Sequence, residues 1–174
     1  MNVNQIVMIF CQYGFRKASM EDIAKAADLS RQSIYKKFKS KEGVFEWAIM
    51  ALTQEAHTAA MAALSDESKE GTRRIIEAFD RWAGDFVPMV CGTPHGAEIF
   101  ERALEVFREK GHEGDEELFT RMGRLLVKWE LASSRQQAED KVFALSASAK
   151  GLLLRAESQQ EFTAGMARVV KAIS

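Results

Sequence analysis

Residues 19–42, SMEDIAKAADLSRQSIYKKFKSKE, start a helix, stop it and restart it twice, and their reading decides the fold. Ser19-Met20-Glu21-Asp22 has the composition of a helix start: a serine oxygen accepts the orphan amide three residues on, and Asp22 sits at the positive end of the helix. Ile23, Ala24 and Ala27 give that helix one small apolar face. Asp28-Leu29-Ser30 breaks it, and Ser30 is placed to cap a second short helix, Arg31 to Phe38, with Ile34 and Phe38 facing inward. Lys39-Ser40 breaks the chain again, and Ser40 caps a long helix. Two short helices joined by a tight turn make a helix-turn-helix, whose second helix has the size to enter the major groove of DNA. The residues that this helix does not need for packing are Arg31, Gln32, Ser33, Tyr35, Lys36 and Lys37. Donors, acceptors, one aromatic and positive charge suit base edges and phosphates. Spacing alone leaves a second reading open, an ordinary helix hairpin with solvated lysines.

The charge distribution bears on that choice. The net charge of the 174-residue chain is −1, yet residues 1–50 hold eight Lys and Arg against five Asp and Glu, an excess of +3, and the remainder is at −4. A neutral total is no objection to meeting a polyanion, because only one face has to do so.

Outward from this stretch the apolar residues recur at three- and four-residue steps, the pattern of helices with one buried face. Val3, Ile6, Val7, Phe10 and Tyr13 make a first short helix ended by Gly14. Phe45 to Ala63 carries a long stripe; Ile75, Phe79, Trp82 and Phe86 a third; Ile99, Phe100, Ala103, Leu104 and Phe107 a fourth; Leu118, Met122, Leu125, Leu126 and Trp129 a fifth. The only prolines, Pro88 and Pro94, lie in FVPMVCGTPHG (residues 86–96), where turn formers cluster. From Gln136 to Arg155, Ala138, Val142, Leu145, Ala149 and Leu152 repeat at four- and three-residue steps beside the small Ser146, Ala147, Ser148 and Gly151, which let another helix approach closely. Ser158-Gln159-Gln160-Glu161 is a capping box, followed by Phe162, Met166, Val169, Val170 and Ile173 on one face. This apolar hairpin suits closing the monomer's core or, the reading favoured here, forming a homodimer, with Val142, Leu145, Ala149, Leu152, Phe162, Met166 and Val169 at the interface. The fold class is all-α.

The run Tyr13-Gly14-Phe15, Ser19 to Ala24, Ala26 to Ser30, Ile34-Tyr35, Phe38 and Ser40-Lys41-Glu42 resembles, in order and spacing, the DNA-binding segment of TetR-family transcriptional regulators. The resemblance spans about Gln5 to Ile49. It implies a helix-turn-helix DNA-binding domain over residues 1–44 and a helical effector-binding and dimerisation domain over 45–174. It also implies a dimer closed by its last two helices, a palindromic operator in double-stranded DNA, and release by a small-molecule effector. By position, Tyr35 and Lys41 resemble the family's phosphate-anchoring pair, and Arg31, Gln32, Ser33, Lys36 and Lys37 match positions that meet bases or phosphates. Ser19 and Met20 open the supporting helix, whose amides face a phosphate. Met20 departs from a common threonine, leaving its amide as the contact. Asp28 replaces a usual glycine and tolerates the left-handed conformation. No positive residue precedes Arg16, from which weaker nonspecific affinity is expected.

If the second half encloses a pocket, as the resemblance implies, Phe79, Trp82, Phe86, Met89, Phe100, Phe107, Phe119, Met122 and Trp129 can line it, with Cys91, His95 and Glu98 as polar handles. Each aromatic taken singly reads first as core, so the region and not the individual residues is the expectation. A mainly apolar effector follows from the lack of charge in these stripes.

Other classes are disfavoured. Cys11 and Cys91 are the only cysteines and form no CxxC pair, and His57, His95 and His112 are scattered, so no metal or cofactor is expected. Cys91 has no adjacent basic residue to make it a redox sensor. No GxSxG, phosphate loop or HExxH occurs, so the chain does not read as an enzyme. With no signal-peptide pattern and no apolar run that spans a bilayer, a soluble, cytoplasmic protein is expected. The rival outside DNA binding is a helical protein–protein interaction module, which would not need the Ser30-to-Lys41 surface.

Overall fold

Local capping sets most of the helix boundaries. In the computed structural model, which describes residues 1–111 and 113–173, with only the backbone of Glu113, the Asn2 side chain accepts the Gln5 amide at 3.2 Å and opens α1 (Val3–Lys17). Gly14 leaves helical geometry at φ 76 and ψ 155, so α1 breaks where the glycine foretold. Ser19 caps α2 (Met20–Ala26) by accepting the Asp22 amide at 3.1 Å, and its hydroxyl donates to the Asp22 carboxylate at 2.5 Å. The carboxylate thus returns to the hydroxyl of Ser19, not to its amide. Asp28 takes the left-handed conformation, φ 53, in the turn. Ser30 accepts the Ser33 amide and opens α3 (Arg31–Phe38), and Ser40 accepts the Gly43 amide in the first turn of α4 (Lys41–Ser65).

The remaining elements are α5 (Gly71–Trp82), a 3-10 turn (Gly84–Phe86) running into the four-residue α6 (Val87–Val90), α7 (Gly96–Lys110), α8 (Glu113–Lys128), α9 (Arg135–Leu153) and α10 (Gln159–Ile173). The proline-bearing stretch is therefore partly helical before its turn. No strand occurs among the described residues, and the protein is all-α. Ser158 caps α10 at the Glu161 amide, while the Glu161 carboxylate accepts the Glu157 amide.

The chain divides into two compact units. The first comprises Met1–Gln54 together with Met89–Gly111, so the helix-turn-helix shares its unit with α7, beyond the expected limit at residue 44. Its core holds the rings of Phe10, Phe15 and Phe45, with centroids 5.1 to 5.6 Å apart, and the buried Ile6, Ile23, Ile34, Ile99 and Val106. The second comprises Glu55–Pro88 and His112–Ser174. There α10 packs on α5 and α9, α9 on α8, and Phe79, Leu118, Met122, Leu145, Phe162 and Met166 form the core.

Candidate nucleic-acid interface

The recognition helix α3 buries one side chain. Ile34 is fully enclosed against α2, while Arg31, Gln32, Ser33, Tyr35, Lys36 and Lys37 are all exposed and Phe38 half-buried. An eight-residue helix held by Ile34, the half-buried Phe38 and a serine cap presents its other side chains outward, as a groove-reading helix must. The Arg31 guanidinium lies 5.7 Å from the Tyr35 ring centre, within reach of a cation–π contact. Lys37 stands 5.3 Å and 5.4 Å from the rings of Phe38 and Trp47. The Ser33 hydroxyl lies 2.8 Å from that of Ser30 and shares the cap.

On the supporting helix, Ser19 is exposed but Met20 is buried, so the methionine offers only its backbone outward. Lys41 is half-buried, and its ammonium donates to the carbonyls of Arg16 and Ala18 at 3.0 Å each while standing 5.1 Å from the centre of the Phe15 ring. Of three ammonium donors, two close the end of α1 and one is left for an anion. Lys41 is therefore also a structural clasp, which sequence spacing does not reveal.

Residues 4–48 match the model of the bacterial regulatory proteins of the tetR family. This segment is therefore similar to the DNA-binding segment of the tetR-family regulatory proteins. Like the segment it matches, it is a helix-turn-helix of the kind that binds DNA in bacterial regulatory proteins. The fold agrees over nearly the full length with three solved structures. A transcriptional regulator from Rhodococcus sp. Rha1 is 16% identical, with 99% of this chain and 96% of that chain covered and a TM-score of 0.70. The TetR-family regulator PfmR from Thermus thermophilus is 18% identical, covering 97% and 96%, at 0.62. The multidrug binding protein EbrR, complexed with imidazole, is 19% identical, covering 96% and 91%, at 0.54. No curated protein matches.

The expected effector residues fall in both units. Met89, Cys91, His95 and Phe100 belong to the first, where the His95 ring fills the space a Cβ on Gly14 would need and His95 Nδ1 lies 2.9 Å from Glu98. Phe86 is half-buried in the second unit. Burial pushes the Cys91 thiol up from its ordinary value, which disfavours the reactive thiolate. In the second unit Phe79, Trp82 and Phe119 meet ring to ring, with centroids 5.2 to 6.4 Å apart. Asp115 lies beside them, accepting the Trp82 indole N–H at 2.7 Å and lying 2.6 Å from His57 Nε2. Sequence reading missed this pair. The available signal was a histidine on the apolar stripe of α4. Met122 is fully buried core, and Trp129 is covered by the Arg74 guanidinium 4.6 Å from its ring centre, whose N–H groups donate to the Leu64 carbonyl. His112 lies outside the described residues. An open groove of about 630 Å³ runs along Met61, Glu116, Thr120, Arg121, Arg124 and Leu125 and is lined by none of the expected side chains.

Most of the expected dimer residues are covered within the single chain. Val142, Leu145, Ala149, Phe162 and Met166 are buried in the single chain, where α9 and α10 pack on each other and on α5 and α8. Leu152 and Val169 are half-buried. The outward face of α9 carries Phe143, 74% exposed, with Ala147 and Gly151 after it, and continues to the C-cap Leu154, 55% exposed. No helix among the described residues is long and apolar enough to cross a membrane.

Proposed function

We propose that the protein is a dimeric, cytoplasmic repressor that reads a palindromic operator with one α3 from each copy and is released by a small, mainly apolar ligand. In this reading residues 1–44 bind DNA and residues 45–174 bind the effector and the second copy. The carrying observation is the outward display of Arg31, Gln32, Ser33, Tyr35, Lys36 and Lys37 around a single buried isoleucine. Tyr35, Lys41, Lys36 and the α2 opening at Ser19 and Met20 serve the backbone; Gln32 and Ser33 serve base edges; Arg31 and Lys37 serve either. For the effector, the half-buried Trp82 and Phe119, backed by the buried Phe79, are the apolar surface and Asp115 the polar handle. The multidrug-binding name of EbrR, a neighbour in fold, agrees with that use. For the second copy, the Phe143–Leu154 face of α9 is the available apolar strip, and a two-fold axis would use it twice.

The test is selection of random duplex DNA by the purified protein, followed by salt titration on the enriched sequence. A palindrome whose binding falls steeply with salt is expected. Tyr35→Ala and Lys41→Ala should weaken every sequence alike and flatten the salt slope, whereas Gln32→Ala and Ser33→Ala should change sequence preference. Identical behaviour of both sets would refute the assignment. No enrichment at low salt would favour the helical interaction module.

A further inference from the structure

Arg102 lies on α7, far along the chain from the helix-turn-helix and outside any expected contact surface, yet its guanidinium sits 3.7 Å from the ring centre of Phe15 at the end of α1. The Lys41 ammonium stands 5.1 Å from the same ring centre. The two cations are thus no farther apart than those distances together, under about 9 Å. Arg16 and Lys17, both exposed, belong to the same end of α1, just before Ser19.

This clustering is one-sided. Among the described residues Arg102 has no carboxylate partner: Glu98, one turn back on α7, is engaged by His95, and Glu105, one turn on, makes no ion pair with it. Glu46, on α4, is paired with Lys110. Stacking on Phe15 holds the guanidinium in place while its five N–H donors, which lie in its own plane, remain for other partners. A cation fixed in position without a counter-ion, close to a second cation with a spare donor, is a seat for an anion. The non-bridging oxygens of a phosphate backbone can accept from both, at about 2.7–2.9 Å from each by the usual charge-assisted geometry.

We propose that Arg102 contacts the DNA backbone beside Lys41, making α7 part of the DNA-binding surface. The inference rests on the DNA-binding reading above and adds to it a residue outside the helix-turn-helix. It gives the expected anchor at Lys41 the donors that the carbonyls of Arg16 and Ala18 withhold from it.

The experiment compares wild type, Arg102→Met and Arg102→Lys by fluorescence anisotropy on the selected duplex and on a random duplex, across roughly 50 to 200 mM salt. Methionine keeps an apolar stem on Phe15 and removes the charge. Losing one phosphate contact lowers the logarithmic salt slope by about 0.9, so the wild-type advantage should shrink about 3.5-fold over that range, on both duplexes. Arg102→Lys should keep the wild-type slope. If Arg102→Met unfolds in circular dichroism, Arg102→Gln is read in its place. Weaker binding with an unchanged slope in the neutral variant would mean that Arg102 only packs against Phe15, and would overturn the proposal. So would a lysine variant whose slope falls as far as that of the neutral one. Wild-type protein that binds neither duplex would instead overturn the DNA-binding reading itself.

Discussion

Replacing Phe143 with serine tests whether the outward face of α9 joins two copies. The ring is 74% exposed in the single chain, the most exposed of the large apolar side chains described. Full burial of a phenylalanine is worth about 1.5–3 kcal/mol relative to exposure. The ring is already about one quarter covered, and a two-fold axis buries it once per copy, so its removal should cost the dimer about 2–4 kcal/mol. At about 1.4 kcal/mol per tenfold, the dimer dissociation constant should rise about 30- to 700-fold. The neighbours on this face, Ala147 and Gly151, are small, and a Cβ at Gly151 would meet nothing within 4 Å, so a second helix can come close. Sedimentation velocity over a dilution series measures the shift. Phe162→Ala is the control: the ring is fully buried on the inner face of α10, so its loss should lower the melting temperature through a cavity. Wild-type protein that stays monomeric at high concentration, or a Phe143→Ser dimer of unchanged affinity, would refute the reasoning.

Two further substitutions probe the units separately. Gly14→Ala places a side chain at φ 76, ψ 155, a region held almost only by glycine, with its Cβ 3.0 Å from the His95 ring. A cost of about 2 kcal/mol and a drop in melting temperature of roughly 4–8 °C are expected. Adding His95→Ala should recover little of it, and full recovery would mean that the ring and not the backbone resists. Asp80 is buried on α5, and that burial pushes its carboxyl above the ordinary range against the hydrogen bond from Thr163. A carboxyl whose folded pKa is raised favours the fold most when protonated, and that support is lost as pH rises through the folded value. Asp80→Asn, which keeps the acceptor for Thr163, should therefore raise the melting temperature at about pH 7 and change it least near about pH 4. A loss of stability at neutral pH would contradict the sign.

The helix-turn-helix was legible because its determinants are local. Ser19, Ser30 and Ser40 each cap within three residues, and Asp28 accepts the left-handed turn, so short-range chemistry dictates where each helix begins. The C-terminal helices were legible as helices but not as partners. On α9 the 138–142–145–149 stripe announces a buried face, and periodicity says nothing about what buries it. The chain's own α8 and α10 do so. Phe143, off that stripe, was the available sign that α9 has a second apolar face. The ion and hydrogen-bond partners of His57, Arg74 and Asp80 were invisible for a different reason. Each is set by residues ten or more positions away.

The membership of α7 in the first unit carries the most for function. A linear boundary near residue 44 assigns DNA contact to the helix-turn-helix and leaves α7 to the rest. Yet the backbone N–H of His95 donates to the Cys11 carbonyl at 3.0 Å, its ring packs on the Gly14 break, and Arg102 stacks on Phe15 one residue later. All three contacts fall on the second half of α1, whose terminal carbonyls hold Lys41. A change in the position of α7 therefore acts on the clasp at Lys41 without passing through α3. Affinity for all DNA sequences can then fall while base preference is preserved, because phosphate anchors move and base-reading side chains do not. A DNA-binding domain cut at residue 44 would lack Gly96–Lys110, leave the α1 face uncovered and lose the Arg102 cation. Such a fragment should bind more weakly, with a shallower salt slope than the full chain, at unchanged sequence preference.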